Sequence, residues 1–353
     1  LFCLSALLCV GAAEVAARAF WRLFYGVPLR HPGRILYAYY PELNRVDAGQ
    51  PTRGDEYYDI LLLGGSTLHK DSGSVQRVLW EQLVYNGLRK VRIFNLAMPA
   101  HTSRDSWLKY AALGKARFDL VIVYDGLNEA RANNVPPELF QEDYGHYSWY
   151  EIVNALAPYH GTASFALPYT LRYLVIRIHQ TLMSDRYVPT DRPRPDWIHH
   201  GEDLRSAASF KHNLDAILSL ALKRADRVVL MTFALHVPKD YSLEAFRAKR
   251  LDYVLHVSPI ELWGKREHVL AAVASHNEII RSLASAHPEV LFVDQATLMN
   301  GSSRYYNDPC HFTVAGSEQF VENLLHRLLI NRKAGEPPPD RMEQHDREKH
   351  QSL

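Results

Sequence analysis

An excess of charge of either sign is missing from this chain. Forty Lys and Arg stand against 39 Asp and Glu over 353 residues, so no global field draws it to nucleic acid, and no nucleic-acid partner is expected. Cysteine is scarce: Cys3 and Cys9 sit in the apolar beginning of the chain and Cys310 stands alone in the rest. That excludes an internal disulfide framework or a Cys-rich zinc centre there, and no cofactor or metal is expected. A phosphate-cradling loop is absent too, because GGSTLHK at 64–70 has neither the glycine spacing nor the Lys-Ser/Thr pair that such a loop needs. The apolar run at the beginning also stops short of the roughly 20 residues that cross a bilayer. Its first 13 residues are uncharged and mostly apolar, and Glu14 follows.

What is present begins with that segment, LFCLSALLCVGAAEVAARAFWRLFYG at 1–26. An apolar stretch running into the interfacial aromatics of AFWRLFYG reads as a single-pass membrane anchor or signal-anchor whose span an upstream part completes. Small residues around Ala12 and Ala13 also resemble a cleavage site, and a helix packed on the domain is the plain alternative. Arg18, Arg22, Arg30 and Arg34 follow, and taken alone they hold that side in the cytoplasm. The expectation for the main domain is nonetheless the extracytoplasmic, periplasmic side. Residues 27–58 are a Pro- and Tyr-containing approach segment.

Beyond it, short apolar runs alternate with helical patterns. DILLLGG (59–65), VRIFNLA (91–97), DLVIVYDG (119–126), RVVLMTFA (227–234) and EVLFVDQ (289–295) carry β-branched or aromatic residues and end in turn residues, as buried strands of a parallel sheet do. Helical spacing occupies 74–90, 103–116, 203–225, 266–287 and 314–332. The alternation predicts an α/β fold over 59–332: a three-layer α/β/α sandwich with a five-stranded parallel sheet, flavodoxin-like, binding its ligand beyond the carboxyl ends of the strands. One connection, 127–202, is far longer than an ordinary loop. WYEIVNALAPY and LPYTLRYLVIRIHQTLM within it have helical spacing, so a helical insertion of about 130–202 is expected after the third strand, with its segments at 148–184 packed over the site. The end of the chain, 333–353, is charged and Pro-rich and is expected to be disordered.

Chemistry concentrates at the strand ends. The first strand runs into LLLGGST, which sets Ser66 at a strand-to-helix turn after two glycines, with the N–H groups of the next turn facing any developing anion. The second ends in FNLAMPAHTS, where the small Ala97 can present its N–H, and the third in YDGLNEA, where Asn128 adds an amide donor. Ser66, Ala97 and Asn128 together read as a three-donor oxyanion hole. NDPCHFT at 307–313 places Asp308, Cys310 and His311 together ahead of the last helix. Each residue also has a plain reading: Ser66 as a helix cap, Asn128 and Asp308 as turn formers, His311 as a polar helix start, Cys310 as a small buried side chain. His101, His146 and His236 are lone histidines near strand ends or in the insertion, and Arg104 and Arg131 follow the second and third motifs. His199 and His200 lack a third ligand at helical spacing.

These four elements, in this order and at these strand ends, resemble the SGNH (GDSL-like) hydrolase superfamily over roughly residues 59–330. The first block matches Gly64, Gly65 and Ser66, the Gly block Asn95 to Ala100, the Asn block Gly126 to Glu129, and the closing Asp-x-x-His Asp308 and His311. GGST and the long insertion look most like its membrane-anchored bacterial branch. Ala97 stands where the family's second block has glycine, which serves if its dihedrals are ordinary and serves badly if a positive φ is required. The resemblance implies a serine esterase. Ser66 would attack an ester carbonyl, His311 would take and return the proton, and Asp308 would orient the imidazole. The substrate implied is an acylated carbohydrate or lipid near a membrane. An O-acyltransferase of the same fold acting on a polysaccharide and a catalytically silent binding module are the alternatives.

Overall fold

The computed structural model describes residues 2–330 apart from 89, 190–191, 225 and 300–302. The segment 333–353, expected to be disordered, lies outside the described residues.

Period-two alternation builds the sheet. In β1 (Tyr58–Gly64) Ile60 and Leu62 enter one hydrophobic core, while Leu61 and Leu63 enter the core on the opposite face. β2 (Val91–Asn95), β3 (Leu120–Tyr124), β4 (Val228–Met231) and β5 (Leu291–Val293) complete a five-stranded, all-parallel sheet in the order β2-β1-β3-β4-β5. Burial on both faces explains why each run reads as nearly continuous apolar sequence.

The helices are α1 (Phe2–Tyr25), α2 (Leu43–Gly49), α3 (Val75–Tyr85), α4 (Ser103–Ala112), α5 (Ser148–Leu156), α6 (Leu167–Leu182), α7 (Ser206–Arg224), α8 (Leu243–Arg247), α9 (Arg266–Ala286), α10 (Gln295–Leu298) and α11 (Val314–Ile330). α3 packs with α11 on one face and α4 with α7 and α9 on the other, giving three layers. The order 2-1-3-4-5 reverses direction beside β1, which opens a crevice at the carboxyl ends of β1, β2 and β3. Two elements lie outside this sandwich. α1, α6 and the approach segment share a small core through Ala17, Trp21, Ile35 and Tyr169. The stretch from Thr232 to Lys265 between β4 and α9 is mostly irregular and leans over the strand ends.

Candidate active site

β1 delivers Ser66. A Cβ on Gly64 would lie 2.6 Å from the Tyr124 carbonyl oxygen, so glycine is what lets β1 and β3 stay paired up to the turn. Gly65 is extended and Ser66–Leu68 forms a single 3-10 turn. Gly65 holds the cap position, and the Ser66 hydroxyl instead lies 2.8 Å from Nε2 of His311.

His311 and Asp308 come from a pinched loop between β5 and α11. Tyr306 and Phe312 bridge antiparallel, and Asn307 donates its N–H to the His311 carbonyl (2.7 Å) and its Nδ2 to that of Phe312 (2.8 Å). Asp308 is fully buried at the focus of the loop. Its Oδ1 accepts from the N–H groups of Cys310 (3.0 Å) and His311 (2.9 Å), and its Oδ2 from that of Ser258 (3.1 Å). Nδ1 of His311 stands 2.9 and 2.8 Å from the two oxygens. A carboxylate here accepts Nδ1–H, which leaves Nε2 as the acceptor for the Ser66 hydroxyl proton. Serine, imidazole and carboxylate therefore lie in one hydrogen-bonded line.

Cys310 is buried with its sulfur 3.7 Å from Asp308 Oδ1 and 3.5 Å from His311 Nδ1. Burial, then the neighbouring carboxylate, push its thiol well above the ordinary range, so it stays protonated. Asp308, Cys310 and His311 do bring one potential metal-ligating atom each within 4.8 Å of one another. The carboxylate oxygens already accept from three N–H groups and face the imidazole.

The structure turns the Ala97 N–H away from the cleft. It donates to Asn95 Oδ1 at 2.9 Å inside the strand-end turn, and the residue is buried away from the cleft. Asn95 also donates Nδ2 to the Leu68 carbonyl (2.7 Å), so this side chain staples the end of β2 to the turn after Ser66. The alanine of this motif that reaches the cleft is Ala100. It lines the cleft with Ser66, Asn128 and His311, and its φ of 65° is left-handed. The positive φ that the resemblance raised for residue 97 thus falls three residues later, at a cost of roughly 1–2 kcal/mol for a residue with a Cβ. The N–H groups of Ser66 and Ala100 have no acceptor among the described residues. Asn128 Nδ2 donates to the His101 carbonyl (2.7 Å), while its Oδ1 accepts from Trp263 Nε1 (2.8 Å). An indole only donates and a carbonyl only accepts, so the two together fix which way the amide faces.

Thr102 caps α4 in a reciprocal capping box with Asp105, and this box anchors the Ala100 turn from behind. The buried Asp105 carboxylate also accepts from Tyr40 of the approach segment (2.8 Å) and from Trp149 (3.1 Å) and Tyr150 of α5. Lys109 is buried with Glu42 (2.7 Å) and donates to the Leu96 carbonyl (2.5 Å). The insertion and the approach segment therefore brace the β2–α4 turn.

They do not roof the site. The cleft, about 450 Å³, is walled by Leu255, Val257, Ser258, Leu262 and Trp263, and among the described residues nothing from 132 to 254 lines it. The expectation that 148–184 covers the site is corrected on this point: α5 packs behind α4's cap, and α6 packs on α1. The wall is fastened to the acid loop by hydrogen bonds from Leu255 (3.0 Å) and His256 (2.8 Å) to the Asn307 carbonyl. Arg131 reaches the cleft with Nε on the Leu262 carbonyl (3.0 Å), whereas Arg104 bonds Asn154 of α5 (3.0 Å). His101 lies beneath the Asn128 amide, and burial lowers its pKa to about 3. His146 is buried in the insertion, its pKa lowered to about 4. His236 stacks on Tyr306, and the rings of His199 and His200 touch at a tilt. Ala100, Ser258 and Trp263 escaped sequence reasoning. Ala100 had a weak signal as the small last residue of its motif, and the other two had none.

No protein-family model matches the chain, and no curated protein does. Among solved structures it is similar to an alpha/beta hydrolase enzyme from the metagenome of Lake Arreo, Spain, at 13% identity over 76% of this chain and 94% of that one, with a TM-score of 0.42. An acetylxylan esterase from Geobacillus stearothermophilus is 12% identical over 77% and 94%, with a TM-score of 0.41. A lipase/acylhydrolase from Enterococcus faecalis is 15% identical over 76% and 94%, with a TM-score of 0.39.

Proposed function

We propose that this chain is an SGNH-type serine hydrolase of acyl esters. The observation that carries the reading is one cleft in which the Ser66–His311–Asp308 line meets two backbone N–H groups, of Ser66 and Ala100, that have no other acceptor among the described residues. Ser66 Oγ attacks the ester carbonyl as its proton passes to His311 Nε2. The oxyanion accepts from the Ser66 and Ala100 N–H groups and from the free Nδ2 hydrogen of Asn128. Collapse breaks the C–O bond, His311 protonates the departing alcohol, and a water repeats the sequence to free the acid. Asp308 stays a carboxylate throughout, and its three N–H bonds keep it facing the imidazole.

The cleft suits an acylated carbohydrate or a lipid ester. Leu255, Val257 and Trp263 offer an apolar wall for a short acyl group, while Asp71, Ser72, Ser258 and Asn307 offer polar edges for hydroxyls. The uncharged run ends at Ala13, but the helix continues through Glu14 to Tyr25, so α1 is by itself long and apolar enough to cross a membrane, with a mean hydropathy of 1.6 over its best window; a signal sequence has the same features. We assign it as an anchor that holds the domain at a membrane on the periplasmic side. The test is a panel of acetyl to longer-chain esters, with and without sugar acceptors. Hydrolysis should be lost in Ser66→Ala and His311→Ala. Turnover that survives Ser66→Ala overturns the reading, and an acylated sugar in place of free acid converts it to transfer.

A further inference from the structure

Glu129 closes the third motif yet takes no part in the proton relay or in binding the oxyanion. It is fully buried in the 3-10 turn Asn128–Asn133, and its Oε2 makes no hydrogen bond among the described residues. A carboxyl group in that setting destabilises a fold unless its remaining contact does what an apolar side chain could not. That contact is with α4: Oε1 accepts the N–H of Ser103, the first residue of the helix, at 2.5 Å. This N–H is one of the helix-start donors that no carbonyl of the helix itself can satisfy.

The Ser103 bond is a second link between the two segments that carry oxyanion donors. Ala100 belongs to the segment that runs into α4, and Asn128 to the turn after β3. The first link joins Asn128 Nδ2 to the His101 carbonyl (2.7 Å). A single hydrogen bond lets two segments pivot about it, whereas a pair at neighbouring positions, 128 to 101 and 129 to 103, does not. The far end of the turn is fastened separately: Asn133 Oδ1 accepts from the Ser206 N–H (2.8 Å), and Asn134 Nδ2 donates to the Trp263 carbonyl (2.8 Å). Behind Ser66, Glu129 lines a small recess with His101, Asp125 and Asn128. Burial holds Glu129 above the usual carboxylate range, and burial followed by the Glu129 charge does the same to Asp125. Glutamine, which copies the protonated acid and keeps its carbonyl acceptor, is therefore the conservative replacement.

We propose that Glu129 is a positioning residue for the oxyanion hole: through its bond to Ser103 it holds the Asn128 turn at a fixed angle to the Ala100 turn and so aims the Asn128 amide. This rests on the esterase reading and adds to it a residue that touches no reacting atom. Without the acceptor the Asn128 amide stays beside the cleft, held by His101 and Trp263, but it no longer meets the oxyanion together with the Ser66 and Ala100 N–H groups. The loss falls on the transition state and leaves ground-state binding in place, so it appears in kcat and not in KM.

The experiment compares Glu129→Met with Glu129→Gln in the full chain, side chains of similar volume of which only glutamine offers Ser103 a carbonyl. Hydrolysis of nitrophenyl acetate is measured per Ser66 that reacts with a fluorophosphonate, so unfolded protein does not count. Glu129→Met should lower kcat about tenfold, inside the ~10²–10³ that a deleted oxyanion donor costs, with KM within about twofold of the parent. Glu129→Gln should recover most of that loss. In an Asn128→Ala background Glu129→Met should cost nothing further, because the side chain it aims is gone. Ser103→Pro removes the same N–H at a first helical position that favours proline, and it decides the matter if Glu129→Met does not fold: a similar fall in kcat supports the proposal, and parent turnover overturns it. Parent kcat in Glu129→Met, a Gln variant as slow as Met, or a Met loss that repeats in full on Asn128→Ala overturns the proposal and leaves the esterase reading standing. Turnover that survives Ser66→Ala overturns the esterase reading and the proposal with it.

Discussion

Replacing Trp263 by Phe should separate the positioning of a donor from its presence. The substitution keeps an aromatic ring in the cleft wall but removes the N–H that holds Asn128 Oδ1 at 2.8 Å. The lost hydrogen bond costs about 1 kcal/mol of stability, and the smaller ring in a nearly buried site adds a similar amount, about 2 kcal/mol in all. For catalysis, deleting an oxyanion donor costs about 10²–10³ in kcat, and this bounds the effect from above. The amide still donates to the His101 carbonyl (2.7 Å), so only part of its orientation is lost, and a fall of about tenfold in kcat is expected, ~1.4 kcal/mol in the barrier. Asn128→Ala should show the full ~10²–10³. Asn128→Asp should be at least as severe, because it turns an oxygen toward the His101 carbonyl. Steady-state hydrolysis of nitrophenyl acetate with thermal unfolding of each variant gives both numbers. If Trp263→Phe and Asn128→Ala both keep kcat near the parent value while Ser66→Ala is inactive, Asn128 is not an oxyanion donor.

Cys310→Ser should leave ester turnover within a few-fold of the parent, because a buried, protonated thiol takes no part in the proton relay; an inactive variant would show the nucleophile to be misassigned. Lys109→Met should destabilise the fold by about 3–5 kcal/mol in urea unfolding, since it strands the buried Glu42 carboxylate, and adding Glu42→Gln should recover most of the loss. A single variant as stable as the parent would contradict the buried pair. His276 sits wholly buried between the Gly126 carbonyl (2.7 Å) and the Ser206 hydroxyl (3.0 Å), and burial lowers its pKa to about 4. As pH falls below ~6.5, the unfolded chain takes up a proton at this position and the folded chain does not, so the His276 contribution is full above that pH and is lost on the way down to about 4. His276→Gln should therefore flatten the acid decline in stability by up to ~1.4 kcal/mol per pH unit, measured as urea unfolding at neutral and mildly acidic pH. An unchanged slope would refute the assignment.

The sheet was legible because strands buried on both faces leave unbroken apolar runs, and all five runs became strands, trimmed by a few residues where the chain turns out of the sheet. Ser66, Asn128, Asp308 and His311 could be named because each sits at a strand end or helix start that punctuation residues mark. The rest depended on tertiary geometry. Nothing local in the sequence shows that Asn95 Oδ1 takes the Ala97 N–H or that the chain turns left-handed at residue 100. Trp263 and Ser258 come from an irregular wall with neither helical nor strand periodicity, and only the fold brings them to Asn128 and Asp308. In α6 the apolar period was visible, but periodicity alone does not tell a face turned toward the core from one turned away from it.

The most direct test of the central claim is covalent labelling of the full chain by a fluorophosphonate, with peptide mass mapping of the adduct. The account predicts a single adduct on Ser66, formed slowly or not at all in His311→Ala, and strongly slowed in Asp308→Ala because the imidazole loses the carboxylate that holds it at 2.8 Å. An adduct on any other residue, or labelling of Ser66 at the parent rate without His311, would contradict it.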